Sequence, residues 1–182
     1  MSERPPYLPG DPVPEAELAR MLRVDQAGEY GATRIYDGQL ALIRGGAARR
    51  TIADMAAQER RHRAVFDDLL RRRRVRPTAL EPLWHGAGYL LGAATAWLGE
   101  RAAMACTVAV EEVIDAHYRD QEERLGGRDP EIAAAIRAAR ADERAHRDTA
   151  LAAGAAEAPG YTLLTGLIKS GSRLAIWLAT RI

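Results

Sequence analysis

Apolar positions recur at steps of three and four along most of the chain, the period of helices that bury one face. From about residue 15 to 43 the inward stripe reads Leu18, Leu22, Asp25, Glu29, Ala32 and Tyr36, and Gly45-Gly46 stops it. A second stripe, over about 47–74, reads Ile52, Met55, Glu59, His62, Phe66 and Leu69. After the linker 76–82 a third helical region begins near Leu83. It continues through Trp97, Arg101, Met104, Val108, Glu111, Asp115 and Tyr118 to Leu125. A fourth starts behind Asp129, a good N-cap followed by Pro130, and carries Ile132, Ile136, Ala139, Glu143, His146 and Ala150 as far as Gly154. Beyond the 158–160 turn, Leu163, Leu164, Leu167, Ile168, Leu174, Ala175, Leu178 and Ile182 form one stripe, with Lys169, Arg173 and Arg181 off it and Trp177 near its edge. The pattern predicts an all-α fold, a four-helix bundle with a crossover connection plus a C-terminal amphipathic helix. Residues 1–14, which hold five of the nine prolines, are expected to be a disordered tail, and residues 15–182 one domain.

Four acids and two imidazoles break the apolar pattern from inside. Glu29, Glu59, His62, Glu111, Glu143 and His146 occupy slots where the periodicity demands apolar side chains. A buried, uncompensated carboxylate costs several kcal/mol, so something positive belongs between these helices. The order is a lone Glu, then a Glu-x-x-His, then the same again. Glu29 precedes Glu59 by 30 residues and Glu111 precedes Glu143 by 32, an internal duplication in pattern. Positions i and i+3 share a helix face, so each Glu-x-x-His offers two ligands to one site. Four such helices facing inward make a ferritin-like di-iron or di-manganese carboxylate site. Four carboxylates balance two divalent cations, and oxygen-rich ligation suits iron or manganese better than zinc. Glu59 and Glu143 are expected to bridge the metals, Glu29 and His62 to complete one, and Glu111 and His146 the other.

Around this set, Asp142 and Asp25 are candidates to orient the histidine rings. His117 falls outside the ligand spacing and is read as partly exposed, with a proton or electron relay as the sharper alternative. Gly28 and Gly31 flank Glu29, each at a cost of about 1 kcal/mol against Ala in a helix. Either close helix contact or room for a ligand accounts for them.

Composition narrows the function. The net charge of +1 gives no bulk attraction to nucleic acid. The single cysteine, Cys106, excludes an intrachain disulfide and reads as a small buried residue. No secretory signal opens the chain, which points to a reducing, cytoplasmic setting. The arginine run 71–74 suits a helix C-terminus or a solvated face, with anionic lipid as the alternative partner. The stretch 83–99 is apolar except for His85, and 161–182 reads as a helix lying in a membrane surface or covering the bundle.

Four strings carry a resemblance: Arg23-Val24-Asp25-Gln26-Ala27-Gly28-Glu29-Tyr30-Gly31-Ala32, Ala105-Cys106-Thr107-Val108-Ala109-Val110-Glu111-Glu112, Asp142-Glu143-Arg144-Ala145-His146-Arg147-Asp148, and Ala158-Pro159-Gly160-Tyr161. From about Met21 to its end the chain resembles the demethoxyubiquinone hydroxylase family. The resemblance implies a monooxygenase with two iron ions per chain (Fe2+/Fe3+). It would use dioxygen to hydroxylate the ring of a prenylated demethoxyubiquinol in ubiquinone biosynthesis, the ring reaching the metals through a channel expected at Gly28 and Gly31 and beside Ala93, Ala94 and Ala96. All six metal positions of that family are filled, at Glu29, Glu59, His62, Glu111, Glu143 and His146, which would serve as catalytic residues. It further implies peripheral attachment to the cytoplasmic face of a bacterial cell membrane, since the targeting segment of mitochondrial members is not seen. Some members use NADH and a lipid-binding partner protein. No motif assigns either here, and homo-oligomers are the other expected partner. Two other readings compete: a ferritin-like iron oxidase or storage subunit, and a metal-free helical interaction protein on membranes.

Overall fold

The computed structural model describes residues 14–182. The tail expected over residues 1–14 lies outside them except for Pro14, which opens the first helix. The helices are α1 (Pro14–Leu42), α2 (Gly46–Arg73), α3 (Glu81–Trp97), α4 (Glu100–Leu125), α5 (Pro130–Ala152) and α6 (Tyr161–Ala179), with a 3-10 turn at Ala155–Glu157 before α6. No strand occurs among the described residues.

The helix ends follow from local chemistry. Arg74 closes α2 in the left-handed region at φ 54°, its N–H directed to the carbonyls of Arg71 and Leu70. Gly126, at φ 52°, does the same for α4. Asp129 caps α5 by accepting from the Ile132 N–H at 3.1 Å. Three arginines of the run at the end of α2 pair within the molecule. Arg71 and Arg72 pair with Asp68, and Arg73 reaches Asp129 and Glu131 at 2.9 Å.

Helices α1, α2, α4 and α5 form the bundle. α1 packs on α2 and α4 on α5, and α2 and α5 also meet. Two core clusters fill its ends. One is built around Tyr36, Ile52, Met55, Met104 and Val108, the other around Leu22, Phe66, Tyr118, Ile132 and Ile136. Cys106 is fully buried and unpaired, and burial pushes its thiol up to about 12.

The expectation of one helical region from Leu83 to Leu125 needs correction. The helix breaks at Leu98-Gly99, where Gly99 takes φ 117°, a conformation that side-chain-bearing residues rarely adopt. Trp97, placed on the inward stripe of α4, is therefore the last residue of α3 and is 79% exposed. α3 leaves the axis of α4 and packs mainly along α1. Their crossing is a backbone contact. A Cβ on Gly92 would stand 1.9 Å from the Ile35 carbonyl oxygen, and one on Gly38 would stand 2.1 Å from that of Tyr89. α6 packs on α4 as α3 packs on α1. Its apolar residues do not form one buried stripe. Ile168 and Ala179 face inward, whereas Leu163, Leu167, Leu174 and Trp177 are at least half exposed.

Candidate metal centre

The six residues singled out by periodicity meet in the middle of the bundle. Glu29 comes from α1, Glu59 and His62 from α2, Glu111 from α4, and Glu143 and His146 from α5. Glu29, Glu59, Glu111, Glu143 and His146 are buried, and the His62 side chain is 11% exposed. Two overlapping groups of ligand atoms form, each within 4.8 Å: Glu29, Glu59, His62 and Glu143, then Glu59, Glu111, Glu143 and His146. Glu59 and Glu143 belong to both groups, the arrangement expected of bridging carboxylates.

Both histidines aim Nδ1 at the carboxylates. His62 Nδ1 lies 3.6 Å from Glu29, 3.9 Å from Glu59 and 3.8 Å from Glu143. His146 Nδ1 lies 2.9 Å from Glu59, 3.7 Å from Glu143 and 3.9 Å from Glu111. Neither Nδ1 has a hydrogen-bond partner. Nor does either oxygen of Glu59 or Glu143, nor Oε2 of Glu29 and Glu111. Eight orphaned acceptor and ligand atoms converging on one interior point are costly by themselves and fit divalent cations. Without cations, burial and the neighbouring carboxylates push the Glu59 and Glu143 carboxyls well above the ordinary range. Burial also raises Glu111, against the pull of its hydrogen-bonding neighbours.

Partners outside this cluster fix its members, and they are exchanged between the two motifs. Asp142, one residue before Glu143, accepts from Nε2 of His62 on α2 at 2.9 Å. Gln58, one residue before Glu59, accepts from Nε2 of His146 on α5. The lone acids are held in the same crossed way. Tyr36 on α1 donates to Glu111 on α4 at 2.9 Å, and Tyr118 on α4 donates to Glu29 on α1. Each tyrosine lies seven residues after the lone Glu of its own helix. The sequence reading named Asp142 and missed Gln58, Tyr36 and Tyr118 as partners. The duplication itself held the signal, because one partner at a given offset implies its twin.

Asp25 does not play the expected part. Its Oδ1 lies 3.3 Å from Nε2 of His117, so it pairs with that ring and not with His62 or His146. Burial raises the Asp25 carboxyl against the pull of His117. His117 is 17% exposed, bonds Gln121 at 2.9 Å, and stands 6.0 Å from the Tyr118 ring.

A cavity of about 270 Å³ lies between α1, α3, α4 and α6; its wall includes Gly28 and Val110, the neighbours of Glu29 and Glu111, and none of the six cluster residues themselves. Gly28 and Gly31 line it, and a Cβ on either would meet nothing within 4 Å; the Gly31 carbonyl oxygen also stands 2.9 Å from where a Cβ on Gly88 would be, so Gly31 lies at the contact with α3 as well. The expected alanines do not line it. Ala96 is packed in the core, Ala93 lies at the crossing with Gly38, and Ala94 is exposed. Ala87, Gly88 and Leu91 take their place on the wall.

Residues 16–179 match the model of the family described as ubiquinone biosynthesis protein COQ7. The chain is 54% identical over 176 residues to the 3-demethoxyubiquinol 3-hydroxylase of Rhodospirillum rubrum, covering 96% of this chain and 83% of that protein. It is 44% identical over 176 residues to the human NADPH-dependent 3-demethoxyubiquinone 3-hydroxylase, mitochondrial, covering 94% and 81%. Against the yeast 5-demethoxyubiquinone hydroxylase, mitochondrial, the identity is 40% over 184 residues, covering 92% and 79%.

Proposed function

The chain belongs to the ubiquinone biosynthesis protein COQ7 family, and on that premise we propose that it hydroxylates the ring of a prenylated demethoxyubiquinol at two iron ions held by Glu29, Glu59, His62, Glu111, Glu143 and His146. It is an oxidoreductase of ubiquinone biosynthesis. The observation that carries the site assignment is the set of orphaned atoms in two groups sharing Glu59 and Glu143. Iron there would supply the redox chemistry by which dioxygen gives one oxygen atom to the ring.

The protein's own contribution is orientation and exclusion. Asp142 and Gln58 hold the rings of His62 and His146 in the tautomer that leaves Nδ1 free to ligate. Tyr118 and Tyr36 restrain one oxygen each of Glu29 and Glu111, leaving the other for the metal. The cavity beside Gly28 and Gly31 admits the ring next to Glu29. Its apolar wall receives the first part of the isoprenoid tail, worth about 0.8 kcal/mol per buried CH₂.

The remainder of the tail stays in lipid, with the protein lying on a membrane surface. Exposed Leu83, Leu90, Trp97 and Leu98 on and just after α3 and Leu163, Leu167, Leu174 and Trp177 on α6 support this. No helix among the described residues is long and apolar enough to cross a membrane. The reductant is of the nicotinamide class that the names of the human and Dictyostelium discoideum relatives carry. Residues 15–182 act as one domain.

The test is metal content together with product. Protein loaded anaerobically should hold two iron ions per chain. On adding dioxygen, reductant and a short-tail demethoxyquinol it should yield a quinol one oxygen atom heavier. Bound iron without product would overturn the substrate, and absence of bound iron would overturn the site.

A further inference from the structure

Gly28 has none of the usual reasons for a glycine inside a helix. It lies in the middle of α1, far from either end. Its φ is not positive. A Cβ there would meet nothing within 4 Å, whereas at Gly38, Gly88 and Gly92 a Cβ would run into backbone across the contact of α1 with α3. Against alanine, an interior glycine weakens the helix, and here it gains no packing in return.

What lies beside Gly28 is the cavity between α1, α3, α4 and α6. Val24, Gly31 and Ala32, its neighbours at i−4, i+3 and i+4, line the same cavity. Residues so spaced share one helix face, so position 28 stands in the middle of the side that α1 turns to the cavity. A side chain added there would take up cavity volume. The second unit shows the filled alternative. Gly28 and Val110 each directly precede the lone Glu of their unit. Val110 packs with Cys106, Ala109 and Ile168. On α1 the residues matching Cys106 and Ala109 are Val24 and Ala27, and the wall beside them stays open at Gly28. An apolar cavity of about 150 Å³ takes up benzene. One of about 270 Å³ has room for a ring with substituents.

We infer that Gly28 is a specificity-determining residue: the quinol ring lies flat against α1 where a side chain at position 28 would stand, one residue from Glu29. This rests on the function proposed above and specifies which part of the substrate meets this wall. The isoprenoid tail runs along the remainder of the cavity.

The experiment compares two ligands on iron-loaded, oxidised protein in detergent: the short-tail demethoxyquinone, and the prenyl alcohol that carries the same tail without the ring. Gly28→Ala should bind the quinone about ten-fold more weakly, as expected for a methyl forced against a bound ring, and the alcohol equally well. Unchanged quinone affinity would overturn the inference. Equal weakening of both ligands would put the tail at position 28 and overturn it too. Free of ligand, Gly28→Ala should melt at a higher temperature than the wild type, because alanine favours the helix and meets no obstruction. A lower melting temperature would show that packing requires the glycine and would overturn the inference. Gly166→Ala on α6, equally unobstructed but off the cavity wall, should bind both ligands as the wild type does. A matching loss of quinone affinity there would make the effect unspecific and overturn the inference. Wild-type protein that fails to hydroxylate demethoxyquinol would overturn the function proposed above and this inference with it. Wild-type protein that does so, with Gly28→Ala binding the quinone as tightly, would count against Gly28 alone.

Discussion

Helices α1–α3 and α4–α6 are two versions of one unit. In each, a lone-Glu helix packs on a Glu-x-x-His helix and is flanked on its outer side by a third. In each, a Tyr seven residues past the lone Glu bonds the other unit's lone Glu, and a polar residue before the motif bonds the other unit's His. The differences are in the surroundings. His146 is 3% exposed and is held by a neutral amide, and burial with repulsion from His62 depresses it to about 4. His62 is held by Asp142, whose side chain is 47% exposed. Burial opposes its protonation, yet pairing with Glu29 and Asp142 raises it overall. The set of candidate ligands is symmetric while the dielectric around it is not. The flanks differ too. α3 is locked to α1 through backbone contact at glycines, whereas Gly166 and Gly171 of α6 have open space around them.

The largest test of this comparison removes a shared ligand. Glu143→Ala or Glu59→Ala should abolish binding of both ions, measured as iron per chain. Glu29→Ala or Glu111→Ala should spare the ion of the opposite unit. Equal loss from all four would erase the distinction between shared and unshared acids.

Next come the exchanged partners. Gln58→Ala leaves a buried imidazole N–H unpaired and should weaken metal binding toward about 100-fold. Asp142→Ala, where water can substitute, should cost closer to about 10-fold. Anaerobic titrations of the two variants would show the order, and the reverse order would contradict the asymmetry.

The flanks give a smaller effect. Gly92→Ala forces a methyl into the Ile35 carbonyl and should destabilise by about 1–3 kcal/mol. Gly166→Ala should be neutral or stabilise by up to about 1 kcal/mol. Urea unfolding of both variants distinguishes them.

The gentlest perturbation is pH on the metal-free protein. Glu59, Glu143 and Glu111 titrate higher folded than their ordinary 4.5, so between that value and their raised ones the folded state holds more protons. Stability should therefore fall as pH rises above about 4.5. His146, depressed from 6.5 to about 4, opposes this from about 4 to 6.5 but is outnumbered. Melting temperatures of metal-free protein should drop from about pH 5 to pH 8, and iron should remove the dependence.

Helix periodicity exposed the six ligand candidates because a charged residue in an apolar slot is conspicuous along one helix. Asp142 was legible for another reason, being adjacent to a motif. The partner of Asp25 was not, since the approach of α4 to α1 decides whether it meets His62 or His117. The cavity wall was misplaced toward Ala93, Ala94 and Ala96 because the stripe was carried unbroken from α3 into α4. One glycine at φ 117° ends that continuity, and no periodicity reports a change of axis. On α6 the apolar residues were counted correctly. Their division between a buried and an exposed side depended on how much of the helix α4 covers.

The central claim is a two-metal site built from two equivalent units sharing Glu59 and Glu143. X-ray absorption on the ferrous-loaded protein tests it most directly. The account predicts a metal–metal scattering vector at about 3.5–4 Å, lost in Glu143→Ala. A light-atom shell with no metal neighbour at full loading would contradict it.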